Sequence, residues 1–318
     1  MIQKPDLPTP RRVVIGAGAH AALAKELLER RPELEVRGKT YTEITTSDLE
    51  WADTYVGFKR PPLPTMGNVR WVHCTGAGVD AWLHPTELPR EILLTRTSES
   101  FGVYIAEWAL SRALAFRQQL IDLADAQRRH EWSPREVGYV RDSRAVVVGT
   151  GDVGTHIARL FSSLGAKVHG VSRSGRGDRS VFASTSTVSE LQNLVREADW
   201  LIVTLPLTSD TRGLIGRDVL SVCRGVVLMN SGRGAVVDEA LIPEALEKGW
   251  LAGAILDVFE TEPLPPDHVF WRLPNVRITA HTAALSTPPD IAPIFIDNYR
   301  RLLRGEPLRY RVDFERGY

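Results

Sequence analysis

The feature that most restricts this chain is an apolar run that turns on glycines into an amphipathic stretch. Arg144-Ala-Val-Val-Val148 reads as a buried strand, Gly149-Thr-Gly151-Asp-Val-Gly154 follows at once, and Ile157, Leu160, Phe161 and Leu164 then recur at helical spacing. In such a strand, turn and helix the first glycine permits the tight turn and the second lets backbone approach a pyrophosphate. The third allows close packing of helix on strand, and the helix N-terminus offers amides to an anion. A further run at 167–171 completes a βαβ unit, so Gly149, Gly151, Asp152, Val153 and Gly154 are read as dinucleotide-binding residues. Gly16-Ala-Gly18 and Gly76-Ala-Gly78 also follow apolar runs but lack the third glycine. Both read as simple turns, the second with amides that could equally hold a carboxylate.

Short β-branched runs alternate with helical patterns through most of the chain, which predicts an α/β fold with largely parallel sheets. Strands are expected at 12–15, 54–57, 70–74, 92–95, 144–148, 167–171, 201–204, 225–229, 252–256 and 276–279. Residues 101–129 hold no proline and repeat apolar positions through Ile105, Trp108, Ala109, Leu110, Leu114, Leu120 and Leu123, which predicts one long connecting helix. A second domain is expected to begin near Phe101.

At 318 residues the chain can hold two domains, each with its own core. Lys+Arg and Asp+Glu both total 39, so no net field exists to hold a polyanion or a membrane surface, and neither nucleic acid nor membrane is expected as a partner. The polar, proline-rich amino terminus and the lack of any long apolar run predict a soluble, cytoplasmic protein. Two distant cysteines, Cys74 and Cys223, suggest neither a disulfide framework nor a metal cluster. No G-x-S-x-G, H-E-x-x-H or Walker lysine occurs, which removes the commoner hydrolase and kinase readings.

Three further segments each end an apolar run in a residue able to do chemistry. Met229-Asn-Ser-Gly-Arg-Gly-Ala-Val-Val-Asp238 places Arg233 at the carboxyl end of a strand, where open α/β sheets bind ligands. Leu256-Asp-Val-Phe-Glu-Thr-Glu-Pro-Leu264 carries Glu262, and Ile278-Thr-Ala-His281 carries an imidazole. Singly, these read as a surface arginine, a solvated loop acid and a satisfied core histidine. Together they resemble the signature blocks of the D-isomer-specific 2-hydroxyacid dehydrogenases, N-x-x-R-G-x-x-V-D, D-V-F-E-x-E-P and a histidine closing the last strand. The turn at 75–80, Leu205-Pro-Leu-Thr-Ser-Asp-Thr211, Gly305-Glu-Pro-Leu308 and Val312-Asp313 extend the resemblance over nearly the whole chain. Gly76–Asp80, the segment around Trp108 and Trp132 and the cofactor loop look most like the glyoxylate/hydroxypyruvate reductase branch. One departure is His281-Thr-Ala-Ala284, where many members have two glycines; methyl groups there are expected to narrow the space beside the nicotinamide.

The resemblance implies two doubly wound parallel-sheet domains. A Rossmann cofactor domain at 101–284 is inserted into a discontinuous flavodoxin-like substrate domain made of 1–100 plus 285–318, with hinge closure between them. It implies hydride transfer between NAD(P)H and a small 2-oxo acid, giving the D-2-hydroxy acid. Arg233, Glu262 and His281 are then catalytic, with His281 the proton donor, Glu262 its partner, and Arg233 on the substrate carboxylate and carbonyl. It further implies Leu205, Pro206, Ser231, Gly232 and Asp257 as cofactor residues, Asp257 having turn capping as its plainer reading. Backbone at Val56, Gly57, Gly76 and Ala77 is implied to form the substrate pocket, without a metal. A homodimer is expected, its helix from Phe101 and the following tryptophan-bearing loop wrapping the partner. Two other functions stay open: a dinucleotide-sensing binding protein on a dehydrogenase fold, and a dehydrogenase for a larger 2-hydroxy acid.

Cofactor choice is read from the end of the second strand of the βαβ unit. An NAD-selective unit places an acid there to bind the ribose hydroxyls, whereas this chain has Ser172-Arg-Ser-Gly-Arg176. Arg173 can pair with a 2′-phosphate, and Ser172 or Ser174 can donate a hydroxyl to it. NADP is therefore expected to be preferred, with NAD possible.

Overall fold

The computed structural model describes residues 10–84, 86, 88–98 and 100–317. The chain divides into two compact units, Met1–Ser100 with Leu285–Tyr318, and Phe101–Ala284.

The first unit begins with β1 (Arg12–Gly16), α1 (His20–Arg30), β2 (Glu35–Lys39), α2 (Thr46–Trp51), β3 (Thr54–Val56), β4 (Trp71–Cys74), α3 (Asp80–Leu83) and β5 (Leu93–Arg96). The pairings between these strands are parallel, in the order β2-β1-β3-β4-β5, which is a doubly wound sheet that reverses direction between β1 and β3. Val13, Ile15, Val56 and Trp71 face one core with Leu23 and Leu27 of α1, while Val14, Tyr55, Val72 and Trp82 face another. Gly16 is required by packing, because a Cβ there would fall 1.9 Å from the Tyr55 hydroxyl. This turn is a packing turn, as its missing third glycine predicts.

The second unit runs α4 (Phe101–Arg117), α5 (Leu120–Arg128), β6 (Arg144–Val148), α6 (Asp152–Ser163), β7 (Lys167–Val171), β8 (Ser184–Ser186), α7 (Leu191–Val195), β9 (Trp200–Val203), α8 (Arg217–Leu220), β10 (Val226–Asn230), α9 (Ile242–Glu247), β11 (Leu251–Leu256) and β12 (Val276–Ile278). Its parallel sheet has the order β12-β11-β10-β9-β6-β7-β8, so direction reverses between β6 and β9. Ala145–Val148 and Val226–Asn230 are buried throughout, as expected of central strands covered on both faces. Gly154, Ile157, Ala158 and Phe161 form the buried stripe of α6, and Phe161 meets the fully buried Trp200 edge to face at 6.0 Å. Burying a side chain of that size contributes about 2–3 kcal/mol. The chain then returns to the first unit as α10 (Pro288–Arg304), which starts with a Thr287–Asp290 capping box and stacks Phe295 on Trp71 at 4.7 Å.

All ten expected strands are present, with ends displaced by no more than one residue. Two edge strands, β2 and β8, escape the hydrophobic pattern because Glu-Val-Arg-Gly-Lys and Ser-Thr-Ser bury little. The expected helix over 101–129 is corrected to two. Gln119 takes φ +50 between α4 and α5, and the amide of Gly138 caps the Arg117 carbonyl from a distant loop. That partner is tertiary, so no local signal marks the break. Among the described residues no helix is long and apolar enough to cross a membrane.

Candidate active site

The reversal between β6 and β9 opens beside the glycine turn, since Val148 pairs with Val203 and the Thr204 hydroxyl bonds the carbonyls of Val148 and Gly149. Gly149 sits at φ +113, a conformation that side chains avoid, and a Cβ on Gly154 would stand 1.8 Å from the Gly149 carbonyl oxygen. Gly151 has open space instead, with nothing within 4 Å of where its Cβ would be. Two glycines are thus needed by the turn and the third keeps a face of it bare, which is how a backbone cradle admits a pyrophosphate. The Ser231 hydroxyl, at the end of β10, is buried without a hydrogen-bond partner. An orphaned donor of that kind costs about 1–3 kcal/mol unless something fills the site. Cradle and orphan together fit a dinucleotide. The Asp152 carboxylate is committed elsewhere, to the amide of Gly102 at 3.1 Å and to His156 at 3.2 Å. Only the helix-terminal backbone of Asp152 and Val153 is left for an anion.

Arg233 lies in the turn after β10. Asn230, 1 % exposed, ties this turn together, taking the Gly232 amide on its Oδ1 and donating its Nδ2 to the Arg233 carbonyl. Glycines on either side let the turn wedge between two others. A Cβ on Gly232 would fall 2.6 Å from the Leu205 carbonyl oxygen, and one on Gly234 would fall 2.0 Å from the Phe259 carbonyl carbon. Leu205 and Pro206 therefore border one side of the Arg233 turn, and the segment leading to Glu262 borders the other.

His281 Nδ1 stands 2.8 Å from Glu262 Oε2, and Glu262 Oε1 accepts the Phe259 amide at 2.9 Å. Both side chains remain about a third exposed, 36 % and 34 %, so the pair is open to a ligand. Partial burial pushes the Glu262 carboxyl up, but hydrogen bonds from His281 and the Phe259 amide outweigh it. With the nearby charges of His281 and Arg233 they hold the carboxyl below its usual range. Glu262 is thus an anion facing an imidazole, within the electrostatic reach of Arg233. The turn that presents the imidazole is built by Asp257. His281 adopts φ +53, its amide bonds the Asp257 carbonyl at 2.8 Å, and the Asp257 carboxylate takes the amides of Thr282 and Ala283 at 2.9 and 3.0 Å. Thr279 donates to the same carboxylate and receives the indole N–H of Trp108. At 1 % exposure Asp257 fills the turn-capping role weighed beside cofactor binding, through donors the sequence could not show.

Three further expectations meet contacts within the protein. Of the two methyl groups expected to narrow the space beside the nicotinamide, that of Ala283 is 7 % exposed and packs in the core of its unit, while Ala284 is partly exposed. The Ser172 hydroxyl donates to the Arg176 carbonyl at 2.9 Å and accepts the Arg176 amide at 3.1 Å. Its only proton is used in closing its own loop, which leaves exposed Arg173 and Ser174 as the groups on the surface of that loop. In the first unit the Gly57 amide donates to the His73 carbonyl at 3.1 Å, and Val56 is a paired residue of β3. The amides of Gly76 and Ala77 show no partner among the described residues and suit an anion better.

Glu239 escaped the sequence reading. Its Oε1 accepts the Glu260 amide at 2.8 Å, which pins the Glu262 segment from the far side. Burial, offset in part by that hydrogen bond and reinforced by the charges of Glu260 and Glu262, raises its carboxyl from 4.5 to about 7. Between pH 4.5 and 7 the unfolded chain loses this proton while the folded chain keeps it, so stability falls as pH rises through that window and is level above it. Glu239→Gln keeps an acceptor for the amide and cannot ionise. It is expected to match the wild type at pH 4.5 and to exceed it by about 1–2 kcal/mol at pH 8, after discounting for partial exposure. Urea unfolding at the two pH values checks this, and an equal difference at both would reject it.

Residues 110–283 match the family described as D-isomer specific 2-hydroxyacid dehydrogenase, NAD binding domain. Over 269 residues the chain is 32 % identical to glyoxylate/hydroxypyruvate reductase A of Salmonella heidelberg (strain SL476), covering 81 % of this chain and 86 % of that protein. A D-isomer specific 2-hydroxyacid dehydrogenase from Xanthobacter autotrophicus Py2, solved with NADPH and MES, superposes with a TM-score of 0.86 at 31 % identity, covering 97 % of this chain and 100 % of the other. The NADPH-dependent glyoxylate/hydroxypyruvate reductase of Sinorhizobium meliloti, solved with NADP and sulfate, does so with a TM-score of 0.84 at 31 % identity and the same coverage.

Proposed function

Because this chain belongs to the D-isomer-specific 2-hydroxyacid dehydrogenases, an NAD(P)-dependent family, we propose that it reduces glyoxylate to the achiral glycolate, or hydroxypyruvate to its D-2-hydroxy acid, and prefers NADPH. The observation that carries the reading is the His281–Glu262 pair at 2.8 Å beside the wedged Arg233 turn. Substrate class rests on the named relatives, whose printed activities are those of glyoxylate/hydroxypyruvate reductases.

A dinucleotide held by the glycine turn and the α6 terminus would supply the hydride for the carbonyl carbon of the 2-oxo acid. Arg233 holds the substrate carboxylate and polarises the carbonyl, because its planar fork offers paired donors where negative charge gathers. With Nδ1 facing ionised Glu262, His281 delivers its proton from Nε2 to the carbonyl oxygen, and the hydroxyl forms. Asp257, Asn230 and Trp108 position these groups through the turns they fasten. Gly149, Gly151, the α6 terminus, Leu205, Pro206, Ser231 and Gly232 are assigned to the cofactor. Gly76 and Ala77 are assigned to substrate binding on the first unit.

Initial rates of NADH and NADPH against glyoxylate, hydroxypyruvate, pyruvate and a branched 2-oxo acid test this reading. NADPH with glyoxylate or hydroxypyruvate should be fastest. Cofactor binding without turnover on any acid would leave the dinucleotide-sensing function, and a branched acid turned over fastest would favour a larger substrate. Arg173→Ala should lower kcat/KM for NADPH about 10- to 100-fold, the worth of a charge-assisted contact to phosphate, and hardly change it for NADH. An equal loss with both cofactors would remove Arg173 from its assigned role.

We further propose a homodimer. Val103 and Tyr104 on α4, Leu120 and Ile121 on α5, and the loop residues Trp132 and Tyr139 are exposed apolar side chains, Trp132 at 98 %. Ile121 also lines a cavity of about 620 Å³ with Arg112, Phe116, Arg117 and Arg277. A monomer rarely leaves so much aromatic surface in water, and a second copy is the partner that would cover it. Light scattering at micromolar concentration should give twice the chain mass; a monomer mass would reject the dimer.

A further inference from the structure

Thr150 stands between the first two glycines of the phosphate turn, a position whose side chain has no part in the reading above. Its hydroxyl donates to the Arg176 carbonyl at 2.5 Å, across to the loop that follows β7. That loop is a closed turn whose carbonyls are held by hydroxyls from three directions. Ser172 donates to the same Arg176 oxygen from within the loop, and Thr185 of β8 donates to the Gly175 carbonyl at 2.7 Å. Gly175 sits at φ +67, and its amide closes back on the Ser172 carbonyl. Two more glycines make room for Thr150 itself. A Cβ on Gly170 would fall 2.7 Å from its Cγ2, and one on Gly177 would fall 3.2 Å from its Cβ. The threonine is therefore seated in a fitted slot, with its one proton aimed at the loop that carries Arg173.

We propose that Thr150 is a positioning residue for cofactor selectivity, tying the pyrophosphate turn to the Arg173 loop so that a 2′-phosphate is met by a prearranged arginine. The inference rests on the proposed preference for NADPH. Its physical basis is preorganisation. Arg173 and Ser174 are exposed, and a loop of exposed residues must be ordered before a bidentate contact contributes its full strength. Thr150 is the tie that comes from the cofactor turn itself, so it sets the distance between the two phosphate-binding elements.

Calorimetric titration with adenosine 2′,5′-bisphosphate and with ADP separates the two phosphate sites without needing turnover. Thr150→Val preserves shape and removes the proton, and Thr150→Ser retains it. Thr150→Val is expected to weaken the 2′,5′-bisphosphate about three- to tenfold, the worth of one neutral hydrogen bond, with a smaller effect on ADP. Thr150→Ser should bind both like the wild type, and KM in Thr150→Val should rise for NADPH more than for NADH. An unchanged 2′,5′-bisphosphate affinity in Thr150→Val, or an equal loss for both nucleotides, overturns the inference while leaving the NADPH reading intact. A wild-type protein that gains nothing from the 2′-phosphate, together with an Arg173→Ala variant that loses nothing, overturns both.

Discussion

His281→Ala is expected to lower kcat for 2-oxo acid reduction by about two to four orders of magnitude, the usual worth of a positioned proton donor, while cofactor binding survives. The position is not neutral for the fold, because His281 adopts φ +53 and alanine there costs about 1–2 kcal/mol. His281→Asn separates the two effects. Asparagine tolerates the left-handed region, and its amide cannot deliver a proton. The Asp257 carboxylate and carbonyl still grip the amides of residues 281–283 whatever the side chain, so the turn should hold. Both variants should therefore lose turnover alike, with the asparagine variant melting closer to the wild type. Near-normal kcat in either folded, cofactor-binding variant would sink the assignment of His281 as donor.

What the sequence made readable follows from where strands end. Arg233, Glu262 and His281 each follow the end of a strand, which puts them at the carboxyl edge of a parallel sheet, but singly they read as ordinary residues and only the resemblance to a family assigned them roles. The glycine turn was legible for the same reason, and the two missed strands lie at edges where little is buried. Contacts made by donors from afar were not legible. Asp257 looks like a ligand-facing acid until the amides of Thr282 and Ala283 claim it. Ser172 looks like a phosphate donor until Arg176 folds back over it. The break at Gln119 has no glycine or proline, because its cap comes from Gly138. Glu239 carries no signal at all, since its weight depends on an amide 21 residues further along.

Arg233→Ala is expected to lower kcat/KM by about three orders of magnitude, divided between KM and kcat. One guanidinium is assigned both the ground-state carboxylate and the charge that develops on the carbonyl oxygen. Loss of the donors aimed at that oxygen alone accounts for about two to three orders in kcat. The backbone of the turn should persist in this variant, because Asn230 holds it through the Gly232 amide and the residue 233 carbonyl, neither of which depends on the side chain. Its neighbours change more. Arg233 contributes to keeping the Glu262 carboxyl low, so removing it should let that carboxyl rise toward its usual value and move the acid limb of the kcat/KM profile to higher pH. Arg233→Lys separates charge from geometry. Lysine restores the positive charge near Glu262 but offers a single ammonium in place of a planar fork, so the acid limb should return while kcat/KM recovers only in part. Full recovery of kcat/KM by lysine would show that charge alone suffices and that paired donors at this turn are not what the reaction uses.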